Sequence, residues 1–266
     1  MTNPSVFAVL PEGRRTWAIP SIFGQAGRLA ALHGALDLRI AEGDNLVYLG
    51  NLIGRGDVAA TVRELLLFRR SLMARRLDGA AGGIVHLRGS QEEMWHKLLQ
   101  LQFAPNPTEV LEWMLRQGVA ATLSAYGGGV EEGRTAARLG AVALSRWTNQ
   151  LRAAVRAIDG HDQLMSSLRR AAYTSDNTLL FVSAGVDPRR PLSAQRDTFW
   201  WGSREFEASE GRYGGFHRVI RGADPRRAGI VLRDGLASLD GGCGFGGPLL
   251  AGCFSAEGHL VEVVEA

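Results

Sequence analysis

Three short apolar runs, each ending at a tight turn and followed by an amphipathic stretch, most constrain what this 266-residue chain can fold into. Thr16-Trp17-Ala18-Ile19 stops at Pro20, and Gln25 to Ile40 then places Leu29, Leu32, Leu36 and Ile40 three and four residues apart, the spacing of one helix face. Asn45 to Leu49 ends at Gly50, and Val58 to Ala74 follows with Val62, Leu65, Leu66 and Leu72 as its stripe. Ile84 to Leu87 precedes a third helical stretch from Gln91 to Leu101. Strands alternating with helices at this spacing predict βαβ units and a sheet with parallel strands.

The pattern changes along the chain. Residues 1–15 read as a loose lead-in that closes on Pro11-Glu12-Gly13. Roughly residues 102–170 carry helical periodicity, broken at Tyr126-Gly127-Gly128-Gly129, and read as a helical insert or cap. From Leu179 short strands return at Leu179 to Val182, Val219-Ile220, Ile230 to Leu232, Leu236 to Leu239, Leu249 to Phe254 and Leu260 to Val264. They predict a second sheet packed on the first within one domain. The Gly241 to Gly247 run lacks the lysine and following helix of a phosphate loop, so it reads as a hairpin turn.

Composition narrows the function classes. A net charge of +3 does not suit a nucleic-acid partner. Lys97 is the one lysine, so the basicity is arginine, a bias that a GC-rich genome imposes. No run of 18 apolar residues spans a membrane, and Met1 to Arg15 lacks the layout of a signal peptide. Cys243 and Cys253 suit buried thiols better than a disulfide framework, so a reducing cytoplasm is expected. The histidines at 33, 86, 96, 161, 217 and 259 form no ligand spacing.

In open α/β sheets, ligands sit at the carboxyl ends of strands. The junctions there read Pro20-Ser21-Ile22-Phe23-Gly24, Gly50-Asn51-Leu52-Ile53-Gly54-Arg55-Gly56 and Arg88-Gly89-Ser90-Gln91-Glu92. Ser183-Ala184-Gly185-Val186 and Arg221-Gly222-Ala223-Asp224-Pro225 follow. These five frames, in this order, resemble the calcineurin-like metallophosphoesterases, the group with bacterial serine/threonine protein phosphatases and dinucleoside tetraphosphatases. That family reads G-D-x-H-G, G-D-x-x-D-R-G, G-N-H-E, H-A-G and G-H-T-P. The likeness implies two mixed β-sheets packed as a sandwich, flanked by helices. It covers nearly all of the chain except the helical middle.

Residue by residue, the resemblance also marks departures. The family's metal ligands fall on Ser21, Phe23, Asn51, Ser90, Ser183 and Ala223. Its proton-donating histidine falls on Gln91, and the aspartate that orients it on Gly54. One phosphate-binding arginine is kept as Arg55; the second falls at Ser203 or Arg204. Two divalent cations about 3.5–4 Å apart need carboxylates and imidazoles around them, and a glutamine cannot serve as the general acid.

The resemblance therefore implies a metal-free, cofactor-free pseudophosphatase that binds or stabilises a protein partner. Alternatives are a sensor in which Arg55 holds a phosphorylated ligand without cleaving it, and a residual metallophosphoesterase with altered chemistry. Phe23 either fills the emptied space or offers a stacking surface. Glu92 is expected to cap the helix after it, and Asp224 and Asp240 to be surface or turn carboxylates. The adjacent Trp200 and Trp201 should put one ring in and one out in an extended segment, as an interface candidate or as core with Trp147.

Overall fold

The computed structural model describes residues 6–75, 82–209 and 213–266. Its strands are β1 (Phe7–Leu10), β2 (Thr16–Ile19), β3 (Asn45–Tyr48), β4 (Ile84–His86), β5 (Ala171–Thr174), β6 (Leu179–Val182), β7 (Arg218–Arg221), β8 (Val231–Arg233), β9 (Leu236–Ser238), β10 (Leu250–Phe254) and β11 (Leu260–Glu265). Its helices are α1 (Ala26–Asp37), α2 (Val58–Arg75), α3 (Ser90–Leu98), α4 (Pro107–Arg116), α5 (Ala120–Ala125), α6 (Val130–Leu139), α7 (Ala141–Ala157), α8 (His161–Ser167), α9 (Thr198–Trp201) and α10 (Arg204–Ala208).

The strands form two mixed sheets, ordered β1-β5-β6-β7-β9-β8 and β11-β10-β2-β3-β4. β2, β3 and β4 run parallel, as the βαβ spacing requires, and β10 joins antiparallel to β2. β2 and β3 are buried at every position because both their faces are covered. Alternation sorts the two faces: Trp17 and Ile19 join the core under the helices, while Ala18, Val47, Phe181, Ile220 and Phe254 meet between the sheets. α1 buries Leu29, Leu32 and Leu36 of the expected stripe; it ends at Asp37, so Ile40, the fourth residue of that stripe, lies beyond it and is only partly buried.

The helical middle holds α4 to α8, and its Leu111, Met114, Leu144 and Trp147 continue the same core as the helices on the second sheet. None of the helices among the described residues is long and apolar enough to cross a membrane.

Three expectations change. The lead-in is not loose where it is described: Phe7–Leu10 pairs in parallel with β5, a strand the pattern had not marked, and residues 1–5 lie outside the described residues. Ala171–Thr174 was hidden because its alanines and Thr174 carry little apolar signal, yet it is the link that brings β1 into the sheet. Residues 241–247 are not a hairpin turn. They connect β9 to β10, which belong to different sheets, so the run crosses between layers.

Candidate binding cleft

The turns after β2, β3 and β4 lie against one another. Gly50 has φ +85°, and a Cβ there would stand 2.6 Å from the Gly89 nitrogen. Only a glycine meets both demands. Phe23, Asn51 and Arg55 also take positive φ (52°, 50° and 59°), a conformation that side chains rarely adopt and that recurs at functional turns.

Asn51 is the hub. Its amide NH2 donates to Ser21 Oγ at 3.1 Å, and its carbonyl accepts from Ser90 Oγ at 3.0 Å and the Gln91 backbone N–H at 3.1 Å. The Ser21 hydroxyl donates in turn to the Gly222 carbonyl at 2.9 Å. Beneath this lies Glu92, 3% exposed. It does more than the expected cap: its carboxylate accepts from the backbone N–H groups of Asn51, Leu52, Ile53 and Gly89 at 2.7–3.1 Å. Burial pushes its pKa up, and those N–H donors pull against the shift.

Gln91 reaches the Gln117 carbonyl at 3.0 Å, while its own Oε1 is buried without a partner. A Cβ at Gly54 would meet that oxygen at 2.3 Å, so the residue pair is matched: a larger side chain at 54 excludes Gln91 from its place. Arg55 lies along Gly118 and donates to the Gln117 carbonyl at 3.4 Å. Its guanidinium and that of Arg227 both lie over the Phe245 ring, 4.2 and 3.4 Å from the centroid, and Phe23 meets the same ring edge-on. Among the described residues neither arginine forms an ion pair, although the charge of Arg227 acts on Asp240 across the cleft. Burial first, then the charge of Arg227, lowers the pKa of Arg55.

The far wall is different. Arg221 is 4% exposed and pairs with Asp224 at 2.5 Å, with Glu207, and with Ser238 Oγ at 3.2 Å. Asp240 accepts from the Asp224 and Gly242 backbone N–H groups at 2.8 and 2.9 Å. Asp224 and Asp240 are turn carboxylates, each accepting at 2.9 Å from the backbone N–H two residues on (Arg226 and Gly242), but both are buried and not on the surface. Burial, and next the Asp224 charge, raise the pKa of Asp240. A carboxyl whose folded pKa is raised adds stability that is whole below its unfolded pKa and is lost as pH rises through the folded one. Asp240→Asn removes that loss. The variant should gain relative to the native protein as pH rises above the ordinary aspartate value of about 4, read from melting temperatures across the range; parallel curves would exclude it.

Together Phe23, Asn51, Arg55, Ser90, Gln91 and Ala223 line one open cleft of ≈ 250 Å³, with Trp200 and Trp201 on its wall. Ser21 and Ser183 lie below, and Ser183 Oγ is buried without a partner. Arg204 stands exposed at the start of α10, outside the cleft lining. The tryptophan pair sits on the short helix α9 rather than an extended segment: Trp200 is buried, and Trp201 is 44% exposed and packs 5.5 Å from Trp113 of α4. Sequence reasoning missed Arg227, Gln117 and Phe245. The Arg226-Arg227 pair directly after the fifth frame was the available signal for the first.

Neither a family model nor a curated protein matches the chain. Solved structures do. A protein assigned as a diadenosine tetraphosphatase is 19% identical over 98% of this chain and 97% of its own, with a TM-score of 0.56. A cold-active protein tyrosine phosphatase is 12% identical over 97% and 80%, with a TM-score of 0.51. The chain has a calcineurin-like phosphoesterase fold. At these identities the likeness concerns the fold, and the chemistry rests on the side chains of the cleft.

Proposed function

We propose that this chain is a pseudophosphatase: it uses a phosphoesterase scaffold to bind a protein partner and not to hydrolyse a phosphoester. The observation that carries the reading is the hydrogen-bond closure around Asn51, where Ser21, Ser90, the Gln91 backbone and, through Ser21, the Gly222 carbonyl join four of the five strand ends. The side chains at the family's ligand positions are hydroxyls, an amide, a phenyl ring and a methyl. They do not fit a pair of divalent cations, which need anionic or imidazole donors to offset their repulsion. Among the described residues no three of His, Cys, Asp or Glu gather as a metal set. Gln91, over the cleft floor, has no proton to give near neutral pH. Trp201 and Trp113 offer a paired aromatic surface at the cleft edge, of the kind that anchors protein interfaces.

The test is metal content by mass spectrometry on protein purified without chelator, with aryl-phosphate turnover in added manganese on the same sample. Metal far below one equivalent and turnover equal to the buffer blank are expected. Near-stoichiometric metal, with turnover that survives further purification, would return the chain to the hydrolases.

A second reading, retention of a phosphorylated ligand, is favoured by Arg55 and Arg227 standing over Phe245 with no ion pair among the described residues. Charge-assisted bonds contribute roughly 1.5–3 kcal/mol each, so Arg55→Ala with Arg227→Ala should weaken phosphotyrosine binding about a hundredfold or more. Equal affinity in calorimetry for both proteins would remove this reading.

A further inference from the structure

The cleft uses one side of α3; the other side carries a separate cavity of ≈ 300 Å³ between α3, α7 and α8. Its charged lining is three arginines and His96 against two carboxylates, Glu92 and Asp162, and the Glu92 carboxylate is already taken up by four backbone N–H groups. Arg88 comes from the turn before α3, His96 from α3 itself, and Arg152 and Arg156 from successive turns of α7. Arg88 is balanced by Glu93 at 3.1 Å. Arg152 is oriented by neutral groups, Asn149 Oδ1 and the Leu99 carbonyl, and keeps its charge uncompensated. Arg156 forms no hydrogen bond or ion pair among the described residues, although Asp162 stands on the same rim. Trp95, 3% exposed, also borders the cavity, and its indole N–H is buried without an acceptor. Burial first, then the charges of Arg88, Lys97 and Arg152 against Glu93, lower the pKa of His96, as expected where the local field is positive.

Like charges repel, and a fold with a net charge of only +3 has no general need to crowd them round one hollow. We propose that this cavity is a second anion site, which takes a compact polyanion of the pyrophosphate type. Planar guanidiniums from α7 and from the β4–α3 turn approach it from two directions, the arrangement that grips phosphoryl oxygens. The site joins α3, whose first turn supplies Ser90 and Gln91 to the cleft, to the helices of the middle segment. It is independent of what the cleft does.

The probe is inorganic pyrophosphate, titrated by calorimetry at constant ionic strength into the Arg55→Ala, Arg227→Ala protein, where the cleft arginines are gone. Saturable binding should persist there. Adding Arg156→Glu should weaken it by about tenfold or more, and His96→Glu should act in the same direction. Both residues are exposed, so folding is not at stake. Arg146→Glu makes the same charge change on α7 outside the cavity and should leave binding within about twofold. Absence of saturable binding in the cleft variant would overturn the proposal, as would an equal loss from Arg146→Glu. Equal affinity in the native and cleft-variant proteins would instead count against phosphate binding in the cleft and leave the second site standing.

Discussion

Glu92→Ala is expected to remove about 3–5 kcal/mol of folding stability, among the larger single losses a domain of this kind can show. The reason is an accounting of donors. Four backbone N–H groups, at Asn51, Leu52, Ile53 and Gly89, end on the two oxygens of this carboxylate. Each buried donor left without a partner costs roughly 1–3 kcal/mol, and water entering the gap recovers part of the sum. The loss is also structural, because these donors belong to the turns that aim Asn51 and Arg55 into the cleft. Glu92→Gln keeps one carbonyl oxygen but turns an NH2 group toward N–H donors, so roughly half of the loss should remain. Urea unfolding of the three proteins measures both numbers. A loss below about 1 kcal/mol for the alanine variant would mean that water replaces the carboxylate without penalty.

The same residue marks how much was legible in the sequence. Its position in the third frame identified a helix-start carboxylate, because capping is a local pattern three residues long. Its grip on the β3 turn was not legible, since Asn51 and Glu92 are brought together only by the β3–β4 pairing and the close approach of Gly50 to Gly89. The strand–turn–helix units were readable because apolar periodicity records burial directly. β5 was not: its AAYT sequence is buried by its neighbours and not by its own hydrophobicity. The cleft shows the same division. Ser21, Phe23, Asn51, Ser90 and Gln91 were reachable from the frames at the strand ends. Phe245 was not, because a glycine-rich run gives no sign that it crosses between sheets and carries an aromatic ring to the two arginines.

Arg221→Met should cost about 3–5 kcal/mol as well, by a different route. The guanidinium joins β7 to α10 through Glu207 and to the following turn through Asp224, with Ser238 Oγ as a third acceptor. Forming a buried ion pair yields little net stability, since desolvation offsets attraction, but deleting one partner leaves the other charged in a place built for its counter-ion. The penalty therefore belongs to Asp224, which is 6% exposed and loses its buried counter-ion when Arg221 is gone. A second change separates this cause from lost packing. Asp224→Asn, added to Arg221→Met, removes the stranded charge and should restore a good part of the stability, although Asp224→Asn alone is destabilising. The double variant should thus be more stable than the sum of the single losses predicts, by about 1–3 kcal/mol. Additive losses would place the cost in the side-chain volume of Arg221 against Phe206, whose ring lies 5.6 Å from the guanidinium, and not in the charge. Glu207 sets the limit of the recovery: it is partly exposed and can turn to water, whereas Asp224 is buried and cannot.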